Sequence, residues 1–584
     1  MPGILYFSGL YILLLPLMNL IISSLIYAAF FCFFCLVNCL AMAQTPPEWY
    51  KNTVIYQIYP RSFYDTNHDG IGDLQGIIAK LDYLQDLGVE TLWISPFYQS
   101  PQQDFGYDIS NYCAIAPEYG TLADAEQLIA EVHRRNMYVV FDMVLNHTST
   151  QHEWFKESVQ DRTNPRADWY IWKDGKGHKP PNNWHSMLAE SGWHYISERN
   201  QWYYASFLPF QPDLNYRNEE VKEAMFNIVR FWLNKGVDGF RLDIFNAIMK
   251  DPQFRNNPFS PNPFPTATNP GGLFQEHRYN VNYPDGFDFA RQLRQVTDEF
   301  TQPQRFTIGE VFGPHETIKQ YLGNGSNGLN LVFLFDMLLY KFNASFFARQ
   351  IALYNTTYPP PYMPVLVFGN HDQKRSISRI GNNPQKAKLL ALFQLTARGV
   401  PVLYMGEEIG MTNGNIPLKQ AKDPLAKRLQ WLPQWVVNRL PVALNRDICR
   451  TPMQWNGTAN GGFSHATPWL PVNPDYPKIN VAVQQTNAAS LLQTYTSLLH
   501  LRQQLPALQQ GDIALLPQMP RNVLAYERQL NGQNVVVYMN FSGKLVAVTC
   551  PAAKMLFSVQ ANTTLQSGVL TLPPWGGAIL QTTP

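Results

Sequence analysis

The sequence predicts an α/β protein: a parallel (β/α)8 TIM barrel with a loop-rich subdomain inserted after the third strand and a C-terminal antiparallel β-sandwich. Three observations carry this. Short apolar runs alternate with amphipathic helical stretches from Val54 to Pro506, the pattern of parallel strands joined by crossover helices. Four separate segments end an apolar run on a carboxylate or a histidine: DMVLNH (142–147), GFRLD (239–243), IGEVF (308–312) and FGNHD (368–372). Titratable side chains at the C-terminal tips of barrel strands gather at one face. Beyond Pro506 the pattern changes to short alternating runs such as VLAYERQL and QNVVVYMNF, which read as an antiparallel sheet without further helix.

The elements follow in order. The apolar run 54–59 is the first buried strand. Residues 81–89 have helical spacing with a glycine near the end, and 91–97 form the second strand. An amphipathic helix over 124–136 leads into the third strand over 137–147. Residues 148–210 break the rhythm with Trp, Asn, Pro, Lys and Gly and no long periodic run, so they read as the inserted subdomain. A helix over 221–236 precedes strand four over 239–243. Strands five to eight fall at 305–312, 330–337, 365–372 and 400–408. Long Pro- and Asn-rich loops follow strands four (251–272) and eight (416–447), on the face where the titratable residues gather. The domains are thus a leader (1–43), the barrel (44–147 and 211–506), the subdomain (148–210) and an all-β domain (507–584).

At 584 residues the chain exceeds one ordinary core. A net charge of +1 gives no reason to expect nucleic acid or an anionic membrane surface as partner, and no obligate protein partner is evident. Aromatic residues make up 14% of the chain, with 14 Trp and 30 Tyr; flat rings suit sugar faces, and a large core uses them equally well. The first charged residue is Glu48, and the apolar stretch before it closes on Ala41-Met42-Ala43, an A-x-A cleavage pattern. The leader reads as an export signal, periplasmic or secreted, with an uncleaved membrane anchor as the alternative, since the run is long enough to span a bilayer. Three of the six cysteines lie in that leader. Cys113, Cys449 and Cys550 remain, too few and too widely spaced for a disulfide framework or a zinc site.

Asp243, Glu310 and Asp372 stand at strand tips as three acids converging on one bond. Cleaving a sugar acetal with retention needs two of them, a carboxylate that attacks the anomeric carbon and a carboxylic acid that protonates the departing oxygen. Arg241, two residues before Asp243 on the same strand, points to the same side and would keep that acid charged and oriented. Separately, Asp65, Asn67, Asp69 and Asp73 place oxygen ligands at positions 1, 3, 5 and 9 of a loop with Gly70 at position 6. That is the beginning of an EF-hand pattern without its helices or its Glu at position 12.

These segments resemble the glycoside hydrolases of the α-amylase family, glycoside hydrolase family 13. The four strand-tip motifs look like its main conserved regions in order. QPDLN (211–215), DFGYDIS (104–110) and RTPMQW (450–455) look like its oligo-1,6-glucosidase and α-glucosidase subfamily. The resemblance covers Trp49 to Pro584. It implies Asp243 as nucleophile, Glu310 as general acid/base, and Asp372 as a binder of ring hydroxyls. His147 and His371 would donate hydrogen bonds to the same sugar. Tyr107 would stack on the ring, with Asp104 and Arg450 binding its far hydroxyls and closing the pocket. It also implies a structural Ca2+ held by Asp65, Asn67, Asp69, the Ile71 carbonyl and Asp73. In the resembling enzymes a bulky residue after the nucleophile accompanies α-1,6 cleavage; Ile244 occupies that place, and packing explains it equally well.

The expected activity is therefore a retaining, exo-acting α-glucosidase taking terminal glucose from short α-1,4- or α-1,6-glucosides. A glucosyl-transferring or isomerising relative of the sucrose isomerase or trehalose synthase type shares the whole set, as does a trehalose-cleaving hydrolase. A non-catalytic, membrane-tethered chain like the transporter heavy chains is the remaining alternative; those chains lose the catalytic acids that this one keeps.

Overall fold

The computed structural model describes residues 48–582 apart from 189, 263–265, 267–273, 434 and 436–442. The leader expectation falls outside them. Two compact units result. In the small one, the Trp49 indole donates to the carbonyl of Gln304 (2.9 Å). Everything below concerns the large unit, Tyr50–Thr301 with Arg305–Pro584.

Eight parallel strands form one sheet: β1 (Ile55–Ile58), β2 (Thr91–Ile94), β3 (Tyr138–Met143), β4 (Gly239–Leu242), β5 (Phe306–Gly309), β6 (Leu331–Val332), β7 (Val365–Val367) and β8 (Val400–Tyr404). Their order, β6-β5-β4-β3-β2-β1-β8-β7, is sequential around a ring. A parallel bridge between Phe333 and Val365 joins its two ends. Almost every strand residue is buried, as expected where helices cover one face and packed side chains the other.

The helices alternate with the strands: α1 (Leu81–Leu87), α2 (Leu122–Arg134), α3 (Glu219–Asn234), α4 (Asp285–Asp298), α5 (His315–Leu322), α6 (Ala344–Thr357), α7 (Pro384–Thr396) and α8 (Leu491–Gln504). Helix α2 begins in a capping box between Thr121 and Asp124 and buries Ala125, Leu128, Ile129 and Val132, one stripe at i, i+3, i+4 and i+7. Helix α7 is buried on all sides, because the C-terminal domain covers the face that its neighbours leave to water. Arg528 of that domain donates to the carbonyls of Thr396 and Leu508, and Arg502 to those of Leu395 and Gly399. These guanidiniums satisfy carbonyls left open at the C-terminal end of α7, where a cation is favoured.

The C-terminal domain is a sandwich of a five-stranded and a three-stranded antiparallel sheet. Its core includes Val536, Tyr538, Val548, Leu570, Ala578 and Leu580. Asn531 and Gly532, both at positive φ, make the two-residue hairpin between Val523–Leu530 and Gln533–Asn540.

Three expectations need correction. The run 330–337 is strand only over Leu331–Val332; residues Phe335–Leu339 turn into a 3-10 helix. The tail opens with a short helix, Pro506–Gln510, started by a proline at its first position. The inserted segment is more regular than its composition suggests. Trp172–Lys173, Gln201–Tyr204 and Trp193–Ile196 form an antiparallel sheet over a small aromatic core of Trp184, Trp193 and Tyr204. Tryptophan and tyrosine can nucleate such a patch without a long periodic run. Cys113, Cys449 and Cys550 are free thiols.

Candidate active site

Strand register sets the first distance. Gly309 of β5 pairs with Leu242 of β4, so the residues that follow, Glu310 and Asp243, leave the barrel side by side on strands about 4.8 Å apart. Beneath them lies the Arg241 guanidinium, 1% exposed. It donates to Asp243 Oδ1 (2.7 Å), to Asp142 Oδ1 (2.9 Å) and, in a close contact, to Glu310 Oε2. One planar fork thus orients three carboxyl groups. Arg241 does not line the cavity; it works from underneath.

The cavity above them measures about 270 Å3, at the small end for sites that bury a small ligand. Asp104, Tyr107, His147, Asp243, Glu310, His371 and Asp372 all line it. Of the catalytic and sugar-binding residues the sequence proposed, Arg241 and Arg450 stand back from it. Arg450 is fully buried; its Nε donates to the His371 carbonyl and its Nη2 to Asp372 Oδ1, both at 2.8 Å. The arginine that faces the cavity is Arg446. It bridges Asp104 Oδ1 (2.7 Å), Asp423 Oδ1 (2.8 Å) and Asp372 Oδ1 (3.4 Å), and so closes one end of the pocket in the place expected for Arg450. Residues Arg446–Cys449 form a 3-10 turn with Arg450 at its end, and that turn sends the two guanidiniums to different places.

The two histidines line the cavity, each held by protein hydrogen bonds. His371 Nδ1 accepts from Gln57 Nε2 (2.7 Å), and its Nε2 meets the Tyr107 hydroxyl (2.7 Å). His147 Nε2 reaches the Tyr107 carbonyl (3.1 Å), and its Nδ1 faces Asn146 Nδ2 (3.2 Å). Every ring nitrogen is engaged by protein. Burial lowers the pKa of both rings, His371 to about 3, so they are neutral posts that position Tyr107. The Tyr107 ring lies parallel to His371 at 5.3 Å, and its hydroxyl also donates to Asp142 Oδ2 (3.1 Å). Phe105 and Gly106, both at positive φ, make the tight loop that presents it.

The acids are differentiated. Burial raises the Glu310 carboxyl to about 8; the Arg241 charge opposes this, and the charges of Asp243 and Asp372 reinforce it. Asp372 is driven well below the usual carboxylate range: burial would raise it, but His371, Arg446 and Arg450 outweigh that. Asp142, wholly buried beneath, rises to about 7 by desolvation. Two neighbouring carboxyls with different environments are what acid/base division of labour requires.

The segment after Asp243 is strained. Ile244 has φ 35°, ψ 48°, a left-handed conformation costly for a β-branched residue. It lets the Ile244 N–H donate to Glu310 Oε2 (3.3 Å) while the side chain lines the cavity. Other lining residues that the sequence did not single out are Gln211, whose amide donates to Asp104 Oδ2 (3.2 Å), and a stacked ring pair, Phe312 and Phe335, at 4.4 Å. Gln211 and Phe312 sit inside motifs that were recognised for other residues.

The 65–73 loop is a set of Asx turns. Asp65 accepts from His68 N and Gly70 N, Asn67 from Asp69 N, and Asp69 from Ile71 N. Asp73 caps the helix Leu74–Ile78. Among the described residues no three acidic, imidazole or thiol groups converge as a metal site. The donors are nonetheless all oxygen, which suits a hard cation, and Asp65 and Asp73 are pinned by burial at 2% and 4% exposure.

Comparison with known proteins agrees with this geometry. The family profile described as "Alpha amylase, catalytic domain" matches residues 57–511, and the "Alpha-amylase SusG C-terminal domain" matches 523–579. An oligo-1,6-glucosidase of Halalkalibacterium halodurans is 38% identical, over 87% of this chain and 93% of its own. A probable alpha-glucosidase of Rhizobium meliloti is also 38% identical, over 92% and 97%. Among solved structures, the alpha-glucosyl transfer enzyme XgtA superposes with TM-score 0.84 at 36% identity, covering 92% of this chain and 99% of that one. The trehalulose synthase MutB of Pseudomonas mesoacidophila gives 0.82 at 33%, covering 91% and 99%. With a barrel of this topology and a profile match over most of its length, the chain belongs to the α-amylase family of glycoside hydrolases.

Proposed function

We propose that the chain is a retaining, exo-acting α-glucosidase that removes terminal α-linked glucose from short oligosaccharides and disaccharides. One observation carries it. Asp243 and Glu310 sit on adjacent strand tips, joined through one guanidinium, in a small pocket stopped by the Asp104–Arg446 ion pair. Carboxyls on neighbouring strands have the short separation of double displacement; inversion needs a wider gap for water. Asp243 attacks the anomeric carbon while Glu310, protonated, hands its proton to the departing oxygen. The resulting Glu310 carboxylate then takes a proton from water as the water oxygen attacks the anomeric carbon and displaces the Asp243 carboxylate, which releases glucose with its α configuration. Asp372, held ionised by Arg446 and Arg450, serves the ring hydroxyls.

The test is product analysis on maltose, isomaltose, sucrose and trehalose, with proton NMR of the first glucose formed. α-Glucose appearing before mutarotation is expected; β-glucose would sink the double-displacement reading. The same panel separates a second reading, glucosyl transfer or isomerisation, favoured by the transfer and synthase activities of the solved relatives. That reading yields a new disaccharide in place of free glucose.

Two further proposals rest on sequence pattern. The 65–73 loop takes Ca2+ or a similar hard cation through Asp65, Asn67, Asp69, the Ile71 carbonyl and Asp73, as a structural brace. A chelator should lower the melting temperature by several degrees without altering the product pattern, and an unchanged melt would count against the site. The leader exports the chain, which fractionation of expressing cells would check.

A further inference from the structure

We propose that His315 and Asp336 form a positioning pair that fixes the acceptor side of the cavity and thereby sets how the glucosyl-enzyme divides between water and sugar hydroxyls. The inference rests on the functional reading above and concerns residues outside the cavity lining.

The argument begins where the barrel ladder stops. β5 and β6 pair only at Ile308–Leu331 and Gly309–Val332, with one further hydrogen bond from Phe333 N to the Gly309 carbonyl (3.0 Å). Beyond it the two chains part. One carries Glu310 and Phe312 into α5; the other carries Phe335 and Leu338 through the 3-10 helix. Phe312, Phe335 and Leu338 all line the cavity. Because they belong to the segments just past the proton donor, they face the departing group and whatever later takes its place. No backbone ladder sets the spacing of these two walls.

Side chains set it instead. The Phe312 carbonyl is pinned from one side by the amides of Asn246 (2.8 Å) and Asn282 (2.9 Å). Three residues on, His315 Nε2 reaches Asp336 Oδ2 (3.4 Å), the residue next to Phe335. Its other nitrogen meets the Tyr358 hydroxyl (2.9 Å), and Tyr354 also points its hydroxyl at Asp336 Oδ2 (3.5 Å). Tyr354 belongs to α6 and Tyr358 caps it, so the pair is anchored to the outer helical layer. The contact thus fastens the two chains on the far side of the Phe312–Phe335 stack. A shift of about 1 Å in such a support can change a bound reactant's rate by up to roughly 100-fold. The first step with an activated aryl glucoside, whose phenol departs with little help from these walls, depends on it least.

The experiment uses the full chain with p-nitrophenyl α-glucoside carrying 13C-labelled glucose as donor and unlabelled maltose as acceptor, counting nitrophenol, labelled free glucose and labelled transfer product. Asp336→Asn and His315→Leu are expected to lower the transfer-to-hydrolysis ratio roughly threefold or more, chiefly through a higher apparent KM for maltose. kcat/KM for nitrophenol release should stay within about twofold. His315→Gln, which keeps a polar group beside Asp336 and Tyr358, should recover most of the ratio. Combining His315→Leu with Phe335→Ala should add little to Phe335→Ala alone, since both act on one wall. An unchanged ratio in folded variants would overturn the proposal, as would a parallel fall in kcat/KM or a wild-type enzyme that hydrolyses the donor yet transfers to no acceptor. A wild type that releases no nitrophenol would overturn the functional reading, and this inference with it.

Discussion

Asp243→Asn is expected to cut turnover of every α-glucoside by roughly 10,000-fold or more, leaving the fold and the melting temperature nearly intact. The amide is a far poorer nucleophile, so no covalent intermediate forms. The fold survives because Arg241, the buried charge that Asp243 faces, keeps hydrogen-bond acceptors in Asp142 and Glu310, and Asp142, relieved of the Asp243 charge that raises its pKa, ionises more readily beside it. The substitution has a second consequence. The Asp243 charge is one of the causes that raise Glu310, so its removal should lower the Glu310 pKa, readable by carboxyl NMR or difference infrared spectroscopy. Asp243→Ala opens space at the same point. Azide should then enter from the vacated face and convert an activated α-glucoside to β-glucosyl azide. Turnover of Asp243→Asn at more than a tenth of the wild-type rate would remove Asp243 from the nucleophile's role.

The parts of this molecule legible in the sequence are those where one short run carries both structure and chemistry. β4 and β5 lead directly into their acids at the C-terminal rim, where barrel strands deliver titratable side chains, and that boundary is visible without coordinates. The placement of Asp243 beside Glu310 needed only the assumption of adjacent parallel strands. Two kinds of feature were hidden. Arg446 and Arg450 are identical in type and four residues apart, and their division of labour depends on how a loop turns: Arg450 goes under His371 and Asp372, while Arg446 faces the cavity. No periodicity encodes that. The partners of the histidines were hidden as well: Gln57 and Tyr107, distant in sequence, engage both nitrogens of His371. The sixth strand was overestimated for a third reason. NLVFLFDM is apolar from Leu331 to Phe335, and an apolar run does not separate strand from buried turn.

Glu310→Gln separates the two halves of the reaction and is the sharper test of how the acids are divided. With a disaccharide, whose leaving oxygen needs a proton, turnover should fall by roughly a thousandfold. With 2,4-dinitrophenyl α-glucoside, whose leaving group needs none, the first step should stay within about tenfold of wild type. The intermediate should then accumulate, because no base activates water. A burst of dinitrophenol followed by a slow steady state is the expected trace, and trapped glucosyl-enzyme should be visible by mass spectrometry. The pH profile follows with the same sign. Burial holds the Glu310 proton to about pH 8, so wild-type kcat/KM on a disaccharide should decline as pH rises through that value, when the acid loses its proton. The decline should vanish in Glu310→Gln, which has no proton to lose there. Azide closes the argument: it needs no base, attacks the glucosyl-enzyme from the face opposite Asp243, and should give α-glucosyl azide. The two variants must therefore yield opposite anomers. If Glu310→Gln gives the β anomer, or Asp243→Ala the α anomer, the roles assigned to the two carboxyls are exchanged.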